Sequence, residues 1–252
     1  MNLDIWLSWY KRILNEFGFN REDDEKSAEI LNSLLEKQGC IKPNHIQMNQ
    51  KVIVFGAGPS LKRNIKEIKE LKLKNFTLIA ADGATTALLE EDIIPDIIVT
   101  DLDGLMDDII KSNDEGAILV IHAHGNNAEN IEKYVPSLQN IIGTTQSIPL
   151  SNVYNFGGFT DGDRCLFFAA ASGAKLIILA GMDFGDIVTS YSRPEISGLF
   201  EKADKIKRLK LKYAKELTEW IAENENIKIL NISGGEKLKN VEEVEPILLE
   251  YI

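Results

Sequence analysis

From Lys51 onward, short β-branched runs alternate with stretches whose apolar residues recur at helical spacing. The pattern predicts strands at Val52–Phe55, Thr77–Ala80, Ile97–Val99, Ile118–Ile121, Val153–Phe156, Leu176–Leu179 and Ile227–Leu230. Their Val, Ile and Leu content is continuous instead of alternating with polar residues, as expected of strands covered on both faces. Most are followed by a helical pattern. The predicted fold class is therefore α/β: a doubly wound, mostly parallel sheet with helices on both faces, preceded by an N-terminal helical hairpin. The hairpin shows as Ile5, Trp6, Trp9, Ile13 and Phe17 in one helix, and Ala28, Leu31, Leu34 and Leu35 in a second over Asp23 to Lys37. Gly18 and Asn20 separate the two, and the acidic run Glu22 to Glu25 suits the second helix's N-terminal dipole. Residues 39–50, with Pro43, form a connector, which divides the chain into a hairpin over 1–45 and an α/β domain over 46–252. Apolar stripes of this kind more often pack onto a main domain than form a homodimer contact, and both readings stand.

The segments after the strands are unlike the rest of the chain. They read Gly56-Ala57-Gly58-Pro59-Ser60, Ala81-Asp82-Gly83-Ala84, Thr100-Asp101-Leu102-Asp103-Gly104, His122-Ala123-His124-Gly125-Asn126-Asn127, Gly157 to Arg164, and Gly181 to Asp186. The opposite connectors, such as Lys72-Leu73-Lys74-Asn75 and Asn113 to Gly116, are plainer. Polar, glycine-rich loops at one sheet edge mark a binding crevice, because ligands of such sheets sit beyond the carboxyl ends of the strands.

Asp101 and Asp103 are two apart. If the strand geometry persists through Leu102, both would face one hard cation, and Mg2+ is the natural candidate. The competing reading makes Asp101 a helix cap and Asp103-Gly104 a turn. Gly56, Gly58 and Ser60 lead from a strand into the helical pattern Leu61 to Leu71, where free N–H groups suit a phosphate. The turn lacks both the Walker ending and the third glycine of the dinucleotide fingerprint. Asp82 is a third carboxylate or an N-cap. His122 and His124 share a face and suit hydrogen-bonding or charge-stabilising contacts to phosphate. Asn126 or Asn127 opens the next helix, and Asn126 is also a candidate substrate contact. Of Asp161 and Asp163, one caps the following helix while the other, with Asp183, suits a ligand edge bearing adjacent N–H donors. The lysine-rich helix after the segment Val188 to Phe200, itself a candidate lid, offers Lys205 and Lys210 to a triphosphate.

The chain has 252 residues with Lys+Arg 28 against Asp+Glu 39, a net charge of −11, which argues against nucleic-acid binding but not against a small phosphorylated ligand held locally. Cys40 and Cys165 form neither a disulfide framework nor a zinc site, and no apolar run reaches membrane-spanning length. The expectation is a cytoplasmic protein without a membrane partner.

Taken in order, these motifs resemble those of the archaeal-type 6-hydroxymethyl-7,8-dihydropterin pyrophosphokinases, whose core is similar to that of thiamin pyrophosphokinase. The resemblance rests on the glycine turn, Ala81 to Ala84, Pro95-Asp96 leading into Asp101-Leu102-Asp103, His122 to Gly125, and Gly158 to Asp163, together with the tryptophan-bearing hairpin and Phe17-Gly18-Phe19. It implies transfer of diphosphate from ATP to the hydroxymethyl group of 6-hydroxymethyl-7,8-dihydropterin with release of AMP, on a folate or methanopterin route. It further implies that Asp101 and Asp103 hold Mg2+ with Asp82 beside them, and that the glycine turn lies against nucleotide phosphates. The competing functions are a nucleotide-sugar glycosyltransferase and a non-catalytic nucleotide-binding module.

Overall fold

The computed structural model describes residues 1–71 and 74–252, so Lys72 and Leu73 of the plain connector above lie outside the described residues. Asn2 opens α1 (Leu3–Phe17) by accepting from the Asp4 N–H, and Gly18 closes it with φ 69°. Asn20 repeats the device for α2 (Arg21–Gln38), accepting from the Glu22 N–H at 3.0 Å. Then follow β1 (Lys51–Phe55), α3 (Leu61–Leu71), β2 (Phe76–Ala81), α4 (Asp82–Leu89), β3 (Ile97–Thr100), α5 (Met106–Asp114), β4 (Ile118–Ala123) and α6 (Ala128–Tyr134). The second half holds β5 (Ile141–Thr145), β6 (Val153–Tyr154), α7 (Asp161–Ala171), β7 (Leu176–Ala180), β8 (Ile187–Thr189), β9 (Phe200–Lys202), α8 (Lys205–Asn224), β10 (Lys228–Asn231) and β11 (Glu242–Glu243).

Among the described residues nine strands form one sheet in the order β11-β10-β7-β1-β2-β3-β4-β5-β6, and each described pairing within it is parallel. The chain runs outward from β1 to β6, then returns to place β7 on β1's other side. A crevice opens where the strand order reverses, between the carboxyl ends of β1 and β7. β8 and β9 form a separate antiparallel ribbon. The hydrophobic pattern misses β5 because Gly143, Thr144 and Thr145 interrupt the run that Ile141 and Ile142 begin. The strand at Val153 is shorter than predicted, because Asn155 turns back to donate to the Ser147 carbonyl at 2.6 Å.

Alternation within the strands divides the core. Val52, Val54, Ile79 and Val99 face a layer holding Phe167, Tyr213 and Leu217 together with Trp6, Tyr10 and Ile13 of α1. Ile53 and Phe55 face Leu61, Ile65 and Leu88 on the other side. On that same side, Ile98, Leu119 and Ile121 meet Leu31 and Leu35 of α2. The hairpin therefore straddles the sheet edge at β5 and β6, with one helix on each face. Each fully buried large apolar side chain contributes about 1.5–3 kcal/mol relative to exposure.

Candidate active site

The turns after β1 and β7 are fastened to each other across the switch point. The Gly56 N–H donates to the Ala180 carbonyl and the Gly58 N–H to the Gly181 carbonyl, both at 2.8 Å. A Cβ on Gly58 would lie 2.2 Å from Asp183 Oδ2 and 2.5 Å from the Gly181 oxygen, so the packing itself demands glycine. Ser60 donates to Asp183 Oδ2 from its backbone at 3.2 Å and from its hydroxyl at 2.9 Å. Burial raises the Asp183 carboxyl above its ordinary range against the lowering effect of those bonds. Gly56, Gly58 and Asp183 line a cavity of about 380 Å3, whereas Ser60 stands behind it.

β3 ends at Thr100, and the extended geometry does not persist through Leu102, whose φ is +66°. This corrects the expectation that strand alternation aims the two acids. Left-handed backbone costs a residue with a Cβ about 1–2 kcal/mol. It is held here because the Leu102 N–H donates to Thr100 Oγ1 at 2.8 Å, its carbonyl accepts from Asn130 at 2.9 Å, and its side chain is buried. The turn brings Asp101 and Asp103 together by another route. With Asp82 they form a trio offering one oxygen each, all within 4.8 Å of one another.

Asp82 is the first residue of α4 but does not cap it. Its Oδ2 accepts the Thr100 hydroxyl, and its Oδ1 lies against Gly104, where a Cβ would come within 1.6 Å. Asp82 Oδ1 and Asp101 Oδ1 are buried without a hydrogen-bond partner. Burial and the Asp161 charge push the Asp82 carboxyl up to about 8; burial and contact with Asp101 do the same for Asp103. Burial would raise Asp101 as well, but the bond from His124 and the contact with Asp103 hold it well below the usual range. Two unsatisfied carboxylate oxygens beside a third acid are costly unless a cation meets them, and all-oxygen donors suit a hard divalent ion. The residues present fit Mg2+.

The second acid pair separates. Asp163 is fully buried, accepting from the Phe159 N–H at 2.6 Å, the Thr160 N–H at 2.8 Å and the Thr160 hydroxyl at 2.5 Å. It belongs to the capping box of α7, which corrects its candidacy for substrate. Asp161 lines the cavity, is bonded by Arg164 Nη1 at 3.2 Å, and is pushed up to about 8 by burial and by Asp101.

Two further expectations shift by small steps. Lys205, the first residue of α8, is exposed, and the cavity-lining lysines are Lys207 and Lys210. Burial and Lys210 lower the Lys207 pKa from its ordinary value. Asn126 is exposed, whereas its neighbour Asn127 is buried, donating to the Asp101 carbonyl at 2.9 Å and the His122 carbonyl at 2.7 Å. Neither lysine spacing nor the Asn-Asn pair distinguishes these positions; only the docking of α8 and the turn after β4 does.

The histidines stand outside the cavity lining. His124 Nε2 lies 2.9 Å from Asp101 Oδ2, and His122 Nδ1 lies 3.2 Å from Thr144 Oγ1. Burial and the nearby Arg164 drive the His122 pKa well below its ordinary value, so a charged contact to phosphate is not available to it. The candidate lid, residues 188–200, runs from β8 to β9, and Val188 and residues 191–195 roof the cavity. It is tied down by Thr189 Oγ1, which donates to the Ala57 carbonyl at 2.7 Å, and by the Tyr191 hydroxyl, which donates to Glu90 at 2.6 Å.

A family model described as "6-hydroxymethylpterin diphosphokinase MptE-like" matches residues 13–189. A 6-hydroxymethyl-7,8-dihydropterin pyrophosphokinase from Methanothermobacter thermautotrophicus is 55% identical over 230 residues, covering 91% of this chain and 99% of that protein. One of the same name from Methanocaldococcus jannaschii is 47% identical over 240 residues, covering 91% of this chain and all of that protein. Among solved structures, the MAf glycosyltransferase from Magnetospirillum magneticum AMB-1 superposes with a TM-score of 0.52 at 16% identity, over 81% of this chain and 34% of that one. That likeness shows shared fold alone.

Proposed function

The chain belongs to the 6-hydroxymethylpterin diphosphokinase MptE-like family, and from that premise we propose how its residues carry the reaction. Its activity is diphosphate transfer to the hydroxymethyl group of 6-hydroxymethyl-7,8-dihydropterin. In our reading the donor is ATP, the product beside the pterin diphosphate is AMP, and Asp82, Asp101 and Asp103 hold Mg2+. The single observation that carries the metal assignment is the pair of buried, unpartnered oxygens, Asp82 Oδ1 and Asp101 Oδ1. When bound, the ion neutralises charge on the phosphate oxygens.

The chain's own residues then supply position and field. Transfer needs the alcohol oxygen, the β-phosphorus and the departing AMP oxygen in line, which makes alignment the main task. We assign the glycine turn, Lys207 and Lys210 to the polyphosphate and Asp161 to the acceptor side. The roof over residues 188–195 excludes water, which would otherwise compete as acceptor. The two free cysteines fit a reducing cytoplasm, and no described helix is long and apolar enough to cross a membrane.

Phosphorus NMR of the protein with MgATP and the dihydropterin tests the reading. AMP and a pterin diphosphate should appear together. Unconsumed ATP, with or without binding shifts, would overturn ATP as the donor and the residue roles assigned here.

A further inference from the structure

One buried carboxylate outside the crevice has a use that packing does not account for. Asp24, on α2 of the N-terminal hairpin, is 2% exposed and surrounded by donors. Its Oδ1 accepts the Gly125 N–H at 2.6 Å; its Oδ2 accepts Gln146 Nε2 at 2.8 Å and the Tyr10 hydroxyl at 2.5 Å. A hairpin that needed only to stay docked already has Trp6, Ile13, Leu31 and Leu35 in the core. Burying a carboxylate opposes docking unless its bonds return the desolvation cost.

Each oxygen starts an arm that ends on an acid of the candidate site. From Oδ1 the arm passes to Gly125 and the adjoining His124, whose ring reaches Asp101 Oδ2 at 2.9 Å. The His124 N–H donates to Asn127 Oδ1 at 3.0 Å, and Asn127 in turn holds the Asp101 carbonyl, so this turn grips Asp101 twice. From Oδ2 the arm passes to Gln146, whose Oε1 accepts Arg164 Nη2 at 3.4 Å, and Arg164 Nη1 donates to Asp161. The hairpin's other helix holds the same residue, because the Trp6 indole N–H donates to the Gln146 carbonyl at 2.8 Å.

We infer that Asp24 is a positioning residue for the transfer: through the Gly125–His124 turn and the Gln146–Arg164 pair it fixes Asp101 and Asp161 relative to each other. This inference rests on the function proposed above. It makes the hairpin a support of the active site.

The test compares Asp24→Ala with Leu31→Ala, a cavity-forming change in the same helix that touches neither arm. Asp24→Ala should lower kcat by about 10–100-fold, the range for residues that orient a metal ligand, and leave KM for ATP and pterin within about twofold. Mn2+ affinity, titrated by EPR without nucleotide, should weaken by about tenfold. Adding Asp24→Ala to His124→Ala should cost less than Asp24→Ala costs alone, because the Gly125–His124 arm is already cut and only the Gln146–Arg164 arm is left to lose. Leu31→Ala should lose thermal stability while keeping kcat and Mn2+ affinity. Should Asp24→Ala not fold, Asp24→Asn keeps the shape and should show the same losses in smaller measure. A folded Asp24 variant with wild-type kcat and Mn2+ affinity would overturn the inference, as would equal kcat losses in Leu31→Ala. Absence of AMP from the wild type, with the Mn2+ differences intact, would count against the functional reading alone.

Discussion

Two pairs of acids carry the same spacing and meet different fates. Asp101 and Asp103 stay together beside Asp82, while Asp161 and Asp163 part, one to the cavity and one into a helix cap. The backbone decides. Asp161 and Asp163 lie in the first turn of α7, where residues two apart point away from each other. Asp101 and Asp103 flank a left-handed Leu102, which folds the chain so that both carboxyls turn to one side. Spacing in sequence therefore ranks candidates without fixing direction.

The strongest way to break this comparison is Asp101→Asn. It should lower AMP formation by about a thousandfold, or about 4 kcal/mol in the barrier, with an unchanged far-ultraviolet circular dichroism spectrum. Wild-type turnover by this variant would remove the metal role. The same substitution in the other pair, Asp163→Asn, should act on the fold: about 2–3 kcal/mol of stability lost in urea titration, with turnover per folded molecule within about threefold of wild type.

A pH titration sharpens the contrast. Asp82, Asp103 and Asp161, pushed up to about 8, hold protons in the folded chain that the unfolded chain has released. Between pH ~4 and ~8 the native state binds more protons, so raising pH through that window removes stability. Asp101 is lowered, so its contribution is present above pH ~4, falls away only below it, and leaves the slope in this window unchanged. The metal-free melting temperature should fall by several degrees from pH 5 to pH 8, and Mg2+ should restore more at pH 8 than at pH 5. A flat profile would mean that neither burial nor the neighbouring acids raise these carboxyls. The smallest effect concerns Leu102: Leu102→Gly should be about 1 kcal/mol more stable than Leu102→Ala, reversing glycine's usual penalty, because φ is already positive there.

What could be read from residues alone follows the same line. The strand-ending loops, the Asp82, Asp101 and Asp103 set, and the hairpin's helices are written in local patterns, and the structure gathers the acids at the carboxyl ends of the strands while the hairpin clasps the edge at β5 and β6. That Lys207 lines the cavity while Lys205 is exposed, and that Asn127 braces Asp101 while Asn126 is exposed, was not legible, since each depends on which side of a helix or turn faces inward. Nor was Asp24, which sits 101 residues from Gly125 and 122 from Gln146 and carries no local mark of its role.

The straddling hairpin also sets a timetable. Trp6 leaves the ribosome 140 positions ahead of its partner Gln146. At ribosomal speeds of roughly 5–20 residues per second, the opening helices wait on the order of 10 s for the strands they clasp. During that wait their oily stripes are bare, and a chaperone that shields nascent helices would act on this stretch.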